Sequence, residues 1–389
     1  MQFIDLAAQQ ARVRENIEAR IRTVLDHGEY IMGPEVAELE NRLAHYAGAR
    51  HVISCASGTD ALLMVLMAWG VGPKDAVFIP SFSFFATAEV VAMLGATPVM
   101  VDIDLQTFNI DPASLEKAVV AVTSQDCSLY PLPAVLRKER LVPKAVIPVD
   151  LFGHAADYNA VMDIARKYDM LVLEDAAQSF GGEQNGRKIC GLGCQAAATS
   201  FFPAKPLGAY GDGGAIFTDD DTLASLLRSI RTHGKGSNKY DNVRIGLNGR
   251  LDTMQAAVLL AKMDIFAEEI NQRQEVAAMY GERLGDIPGI ALPVVLPDNT
   301  CAWAQYCIRV AHGKRDGLVA ELNARGVPSN IYYPIPLHML TALKDLGYSP
   351  EDMPVALEAS QVALALPFHP YLTIAQADAV AEAVRVGMR

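Results

Sequence analysis

Short, nearly continuous apolar segments alternate with amphipathic helical segments through most of the first half of the chain. Apolar runs of this length fit strands that are buried on both faces, and parallel strands need connections long enough to hold a helix. The alternation therefore predicts an α/β fold, in which a mostly parallel sheet carries helices on both faces. The predicted strands are HVISC, AVFIP, TPVMVDI, KAVIPVDLF, MLVLED, AAATSFF and GAIFT.

The pattern changes in the C-terminal part of the chain. A long helical stretch from about 252 to 285 is followed by a smaller α+β unit, with a strand AQYCIRV, a helix RDGLVAELNARG, a strand-like segment SNIYYPI and a closing helix near 373 to 387. We therefore predict a large domain over 1–250, and linking helices with a small C-terminal domain over 251–389. Residues 122–143 interrupt the rhythm of strands and helices, and we interpret them as a surface insertion.

The composition excludes several classes of protein. Of the 389 residues, 51% are hydrophobic, and the formal net charge is −12 without any long basic run, which argues against nonspecific binding of nucleic acid. No apolar segment reaches the roughly 18 residues that span a membrane. The N-terminus lacks the apolar core of a signal peptide, so we expect a cytoplasmic protein without a membrane partner. The six cysteines are then expected to be reduced thiols, and the CGLGC pair lacks the further ligands of a metal site.

One lysine lies in an unusual setting. Lys205 belongs to the segment TSFFPAKPLGAYGDGGA, between an aromatic pair and a glycine-rich tail, and Pro203 and Pro206 exclude an ordinary helix there. A rigid, apolar environment lowers the pKa of an amine, and a partly neutral lysine is a useful nucleophile. We therefore predict that Lys205 is a catalytic lysine beyond the end of a strand.

Two polar segments follow the ends of other predicted strands. Asp175 and Gln178 come after MLVLE, and ligands bind beyond such strand ends in open α/β sheets. The alternative is that Asp175 only caps the following turn. The turn Ser57-Gly58-Thr59 opens a helix, where free N–H groups favour a phosphate. The alternative there is a plain helix cap by Ser57 or Thr59.

Aromatic residues follow a further strand. Phe82, Phe84 and Phe85 come soon after AVFIP, and a ring there can stack on a flat cofactor, although phenylalanines of this kind are common in a core. A nucleophilic lysine, an acid that pairs with a pyridine nitrogen and a phosphate-binding turn together describe a site for pyridoxal 5'-phosphate (PLP). The combination predicts a PLP enzyme.

The order of the motifs resembles that of the DegT-type nucleotide-sugar aminotransferases. GPEV, SGTDAL, ATAE, EDAAQ, SFFPAKPLGAYGDGGA, RTHG, GLNGRLDTMQAA and YYPIPLH follow one another over roughly residues 30–370. The resemblance implies the aspartate-aminotransferase-like fold of type I PLP enzymes and a homodimer with shared active sites. It also implies roles for individual residues: Lys205 attaches the cofactor, Asp175 pairs with its ring nitrogen, Gln178 lies near its ring hydroxyl, Phe84 stacks on the ring, Gly58, Thr59 and Ser200 hold the phosphate, and Asn248 reaches the phosphate in the partner subunit.

The resemblance further implies transamination. Some relatives with histidine in place of the lysine are dehydratases, whereas this chain has Lys205. L-glutamate is expected to give its amino group and leave as 2-oxoglutarate, and a nucleotide-diphosphate keto-sugar is expected to accept it. Lys205 would move a proton between the donor's α-carbon and C4′ of the cofactor. The alternatives are an aminotransferase for a C4-keto-sugar and a non-catalytic, PLP-binding regulator.

The motifs are most similar to those of the UDP-2-acetamido-2-deoxy-3-oxo-glucuronate aminotransferases, which points to amino sugars for surface polysaccharides. Arg250 is then the candidate for the C6 carboxylate, because a guanidinium matches its two oxygens, or else it forms an ion pair at the interface. Tyr332, Tyr333 and His338 are candidates for contacts with the sugar or the uridine. Such enzymes often have histidine at the position of Tyr332, and His338 could equally be a satisfied loop histidine.

Overall fold

The elements of the central sheet follow one another in the predicted order. The computed structural model describes residues 1–137, 139–238 and 240–389. Its strands are β1 His51–Cys55, β2 Asp75–Pro80, β3 Thr97–Val101, β4 Val142–Val146, β5 Leu171–Asp175, β6 Glu183–Gln184, β7 Arg187–Lys188, β8 Ala196–Ser200, β9 Gly214–Thr218, β10 Ile290–Ala291, β11 Asn299–Thr300, β12 Tyr306–Val310 and β13 Ala363–Leu366. Its α-helices are α1 Leu6–His27, α2 Pro34–Ala47, α3 Gly58–Ala68, α4 Ala86–Met93, α5 Pro112–Ser124, α6 Tyr158–Lys167, α7 Asp221–Ile230, α8 Thr253–Leu284, α9 Arg315–Ala324, α10 Pro354–Val362 and α11 Ile374–Gly387. None of the helices in these ranges is long and apolar enough to cross a membrane.

A seven-stranded sheet in the order β1-β9-β8-β5-β4-β2-β3 forms the centre of the molecule. Its strands pair in parallel from β8 to β3, whereas β9 runs antiparallel to both β1 and β8. The predicted α/β fold with a mostly parallel sheet is confirmed. Because β2, β5 and β8 run in the same direction, their carboxyl ends meet at one edge of the sheet, where the predicted site residues follow them.

Some of the helices begin where the sequence supplies a cap or a proline. Pro34 is the first residue of α2, where its missing N–H costs no hydrogen bond. The side chain of Ser57 accepts a hydrogen bond from the Asp60 N–H at the start of α3, and Asp220 accepts one from the Leu223 N–H in α7. The cap at Ser57 fixes the point at which the chain leaves the sheet edge and turns into α3.

The 32-residue helix α8 joins two hydrophobic cores. Its first half packs, through residues such as Phe266, in the core around the central sheet. Its second half packs, through residues such as Tyr280, in a second core that includes β12 and α11. The C-terminal part of the chain contributes to both cores. The division into domains 1–250 and 251–389 stays a prediction.

The predicted strand in SNIYYPI is not formed, and a strand that the sequence pattern does not indicate, β13, is present. The strand-like segment 329–335 makes only a single bridge, between Asn330 and Ala365, and Pro334 lacks the N–H that a continued ladder needs. The neighbour of β12 is instead β13, which pairs with it in the antiparallel direction. Its sequence ALAL directly continues the apolar pattern of the preceding helix α10, so periodicity does not separate the two elements.

The segment 122–143 is only partly a surface insertion, which corrects the prediction. Its first residues end α5 and its last residues begin β4. Between them, Tyr130 and Leu136 are buried, and the Tyr130 hydroxyl accepts a hydrogen bond at 2.8 Å from the Asp102 N–H. Lys138, which the prediction includes, lies outside the described residues. The buried side chains tie this segment to the chain that leaves β3.

Candidate active site

A closed loop carries Lys205 beyond the end of β8, and we call residues 201–209 the Lys205 loop. The Ala209 N–H donates to the Phe201 carbonyl at 2.7 Å, and the Lys205 N–H donates to a loop carbonyl at 2.8 Å. Gly208 is needed because a Cβ atom at this position would lie 2.3 Å from the carbonyl oxygen of Pro203. The loop therefore holds Lys205 in a fixed, non-helical frame.

The Lys205 side chain is half-buried in this frame. Burial lowers the pKa of its amine to about 8, and attraction to Asp175 opposes this decrease. A lysine with such a pKa has an appreciable neutral fraction near physiological pH, and the neutral amine is the form that attacks a carbonyl carbon. The environment that the sequence predicts for Lys205 is thus present in the structure.

Asp175 ends β5 and is 5% exposed. Its Oδ2 accepts a hydrogen bond at 2.9 Å from the hydroxyl of Thr87, in the first turn of α4. Burial raises the pKa of the carboxyl, while Thr87, the Ala177 N–H and the charge of Lys205 act in the opposite direction. Sequence reasoning missed the role of Thr87, although the ATAE motif marks a helix start beyond the end of β2.

Gln178, in the turn that follows Asp175, contacts Tyr333, whose ring lies beside the phenylalanines after β2. Its Oε1 accepts a hydrogen bond at 2.9 Å from the Phe152 N–H, and its Nε2 donates to the Tyr333 hydroxyl at 3.3 Å. The Tyr333 ring lies 5.9 Å from the Phe82 ring and 6.4 Å from the Phe84 ring, between ring centres. Phe82 belongs to the core, whereas Phe84 is 58% exposed and presents its ring at the surface of the site.

A buried acid that sequence reasoning missed supports the same turn. Asp150 accepts a hydrogen bond at 2.7 Å from the hydroxyl of Ser179 and another at 2.8 Å from that of Tyr158. Burial raises its pKa to about 7. The available signal was an acid at the end of the apolar run KAVIPVD, as Asp175 is at the end of MLVLED. No group of three or more potential metal ligands occurs in the described ranges.

The start of α3 and the end of β8 form a shallow cradle of N–H and hydroxyl groups. Ser57 caps the helix, as the structural alternative predicts, because its hydroxyl accepts from the Asp60 N–H at 2.9 Å. The N–H groups of Gly58 and Thr59, in the first turn, have no carbonyl of their own helix to bind. A Cβ atom at Gly58 would lie 2.7 Å from Cβ of Ser200. The structure therefore brings together the three residues predicted to hold a phosphate.

Asn248 and Arg250 lie in the segment before α8, close to the same turn. Asn248 is exposed, and the carbonyl of the intervening Gly249 accepts a hydrogen bond at 3.2 Å from the Ala56 N–H, just before the cradle. Arg250 is half-buried, and its buried Nε has no hydrogen-bond partner among the described residues. The roles of both residues stay predictions.

Tyr332 and His338 differ in their surroundings from Tyr333. The half-buried ring of Tyr332 lies 6.5 Å from the Phe3 ring, between centres. His338 is 2% exposed, and its Nε2 lies 3.3 Å from the Pro350 carbonyl oxygen. Burial lowers the pKa of this imidazole. Its buried Nδ1 has no hydrogen-bond partner among the described residues, so His338 is not a fully satisfied loop histidine, and its contact with a substrate stays a prediction.

Comparison with protein families identifies one match over nearly the whole chain. The model of the DegT/DnrJ/EryC1/StrS aminotransferase family matches residues 11–385. The UDP-2-acetamido-2-deoxy-3-oxo-D-glucuronate aminotransferase of Pseudomonas aeruginosa is 48% identical over 99% of both chains. The pleiotropic regulatory protein of Geobacillus stearothermophilus is 40% identical over 98% of this chain and 97% of its own.

Solved structures agree with this match. A DegT DnrJ EryC1 StrS aminotransferase from Brucella abortus has 49% sequence identity and a TM-score of 0.92, covering 100% of this chain and 99% of its own. NtdA from Bacillus subtilis, with bound cofactor PMP, has 29% identity and a TM-score of 0.87, covering 100% of this chain and 85% of its own.

Proposed function

Because the chain belongs to the DegT/DnrJ/EryC1/StrS aminotransferase family, we propose that it transfers the amino group of L-glutamate to UDP-2-acetamido-2-deoxy-3-oxo-D-glucuronate. The coarser activity, transamination of a nucleotide-linked keto-sugar, follows from the family and its relatives. The donor and the identity of the sugar are the finer parts of the proposal. The observation that carries the proposed catalytic role is geometric: a closed loop holds Lys205 beyond the end of β8, and the buried Asp175 ends the neighbouring parallel strand β5.

The cofactor is PLP, which supplies an electron sink when it is bound. The residues present fit this group. The turn at Gly58 leaves no room for a Cβ atom, and the first-turn N–H groups of α3 have no carbonyl of their own helix to bind, so both features suit a phosphate. The Asp175 carboxyl, held by Thr87, is a suitable partner for a protonated pyridine nitrogen. The amine of Lys205 is the nucleophile for the cofactor's aldehyde.

Lys205 is proposed to act a second time, as the acid and base of the reaction. Its amine would accept a proton from the α-carbon of the donor and return it to C4′ of the cofactor, and burial, which lowers the pKa of this amine, favours the neutral form that acts as the base. Asp175 would keep the ring nitrogen of the bound cofactor protonated, and Gln178, which donates a hydrogen bond to Tyr333, would lie near the ring hydroxyl. The exposed ring of Phe84 is proposed to cover the face of the cofactor.

The proposed sugar rests on the relative from Pseudomonas aeruginosa, which is similar to this chain over its whole length. Arg250 is proposed to bind the C6 carboxylate, and the buried, unpartnered Nε is consistent with a guanidinium that awaits an anionic partner. Tyr332, Tyr333 and His338 are proposed to lie near the sugar or the uridine.

The reverse reaction tests the sugar directly. We would incubate the protein with PLP, 2-oxoglutarate and the UDP-linked 3-amino-glucuronate, and measure L-glutamate; we expect it to form. The matched control sugar carries a neutral C6 group, and Arg250→Lys should slow the reaction with the carboxylate sugar much more than with the neutral one. Glutamate from a C4-amino sugar alone would establish the C4 alternative instead.

A regulatory function is the second candidate, because one relative is a pleiotropic regulatory protein. Lys205→Ala separates the two functions. A catalyst loses turnover with this substitution, whereas a binding protein without catalysis keeps its effect on its partner.

We also propose a homodimer with shared active sites, in the cytoplasm, with Asn248 reaching the phosphate bound in the partner subunit. Exposed apolar side chains that are close to site residues in the sequence support an interface. They include Phe84, Phe202 and Ile245, and the Ile245 side chain is 85% exposed. Two domains, 1–250 and 251–389, remain the proposed division of each subunit.

A further inference from the structure

A buried lysine outside the predicted site contacts the Lys205 loop. Lys262 lies on α8 and is only 1% exposed. Its Nζ donates a hydrogen bond to the Gly208 carbonyl at 2.7 Å and lies 4.4 Å from the centre of the Tyr210 ring. An ammonium over an aromatic face is an attractive contact, and it is stronger when water is excluded. Lys262 therefore holds the end of the Lys205 loop by two contacts.

Gln255, on the same helix, binds Tyr210, the first residue after the Lys205 loop. Gln255 precedes Lys262 by seven residues on α8, so the two side chains lie two turns apart on one face. Its Oε1 accepts a hydrogen bond at 2.9 Å from the Tyr210 N–H. The helix that joins the two cores thus binds Gly208, within the Lys205 loop, and Tyr210, the residue directly after it.

The charge of Lys262 is costly for the fold. Within the described residues, no carboxylate forms an ion pair with it, and only the more distant Glu269 attracts it. Burial lowers the pKa of its amine to about 8. Apolar residues of similar volume often replace buried charges without loss of stability. The contacts of Lys262 with Gly208 and Tyr210 therefore explain a lysine at this position better than a contribution to the stability of the fold does.

We propose that Lys262 is a positioning residue, whose ammonium anchors the Lys205 loop to α8 and so fixes the amine of Lys205 at the cofactor. This inference rests on the proposed function of Lys205, but the anchoring itself is measurable without a cofactor.

The variants separate the hydrogen bond from the charge. Lys262→Met keeps the apolar stem and removes the ammonium, whereas Lys262→Gln keeps a donor for the Gly208 carbonyl without the charge. Lys117→Met, on the exposed face of α5, is the matched control for loss of a lysine. If Lys262→Met does not fold, Lys262→Gln and Gln255→Met carry the test.

The first measurement is hydrogen–deuterium exchange of residues 201–210 in the cofactor-free protein. We expect faster exchange in Lys262→Met than in wild type or Lys117→Met, with Lys262→Gln in between. Unchanged exchange in this segment overturns the anchoring, whatever the outcome with PLP.

The second measurement is the absorbance change when PLP is added to the cofactor-free protein at several pH values. We expect PLP affinity to fall about tenfold in Lys262→Met. The midpoint of capture should also rise above that of wild type, because a loosened loop exposes the Lys205 amine to water and returns its pKa toward the ordinary value. Faster exchange with an unchanged affinity and midpoint would refute the positioning role. Failure of the wild type itself to capture PLP would refute the proposed function instead, and this result is distinct from any difference between variants.

Discussion

Burial and the mutual attraction of Lys205 and Asp175 shift the pKa values of both groups. Burial lowers the pKa of the amine and raises that of the carboxyl, and the attraction between the two groups opposes both changes. Thr87 acts on the carboxyl alone, through a hydrogen bond at 2.9 Å. The hydroxyl therefore stabilises the charged form of Asp175, which is the form that can pair with a protonated ring nitrogen.

We predict that Thr87→Val weakens PLP binding by about tenfold, because a buried carboxylate loses a donor worth about 1–2 kcal/mol. Burial already raises the pKa of the Asp175 carboxyl, and removal of the hydroxyl would raise this pKa further. The loss of PLP affinity should therefore grow as the pH is lowered and Asp175 takes up a proton. Titration of PLP at two pH values checks this, with Thr87→Ser as the control that keeps the hydroxyl. Equal affinity of Thr87→Val and wild type at both pH values would contradict it.

At the scale of elements, the junction of α3 with β8 depends on one glycine. We predict that Gly58→Ala lowers PLP affinity by about tenfold or more, because the new Cβ, 2.7 Å from Cβ of Ser200, forces the helix start away from the strand end and moves its N–H groups. Inorganic phosphate should protect the variant against heat less than it protects wild type.

The control is Gly281→Ala, within α8, where a Cβ would meet no atom within 4 Å. This substitution should stabilise the protein by about 0.5–1 kcal/mol and leave PLP affinity unchanged, since alanine is the better helix former. A loss of affinity in both variants would mean that the effect at Gly58 is not local.

The sequence pattern was sufficient to predict those elements whose spacing of apolar residues differs from that of their neighbours. The strands of the central sheet and the long helix α8 were predictable because apolar runs and turn residues delimit them. The strand β13 was not, because ALAL continues the pattern of α10, and 329–335 resembled a strand although it packs through its aromatic side chains. In the site, residues near strand ends, including Asp150, could be singled out from position, whereas the contacts that Thr87, Asp150 and Lys262 make join different elements and follow from the tertiary structure.

At the scale of the whole molecule, α8 connects the Lys205 loop to both cores. Its first half holds Gly208 through Lys262, and its second half packs against the small C-terminal unit. The exposed Asn248, just before this helix, is the residue through which a second subunit is proposed to complete the site.

Shared sites predict complementation. Lys205→Ala and Asn248→Ala homodimers should each be nearly inactive, because the first lacks the catalytic lysine and the second lacks a phosphate contact. Mixing them under exchange conditions should restore about a quarter of wild-type activity, since a symmetric dimer with one copy of each contains one intact site. If the mixture stays as inactive as its components while subunits exchange, each site belongs to a single chain.

The absorbance spectrum with PLP and then L-glutamate tests the central claim most directly. We predict a long-wavelength band when PLP binds to wild type, conversion of this band to a shorter wavelength on addition of L-glutamate, and no such band in a folded Lys205→Ala variant. The absence of any band from folded wild-type protein with added PLP would contradict the account. A band that glutamate leaves unchanged would retain the cofactor site and reject glutamate as the donor.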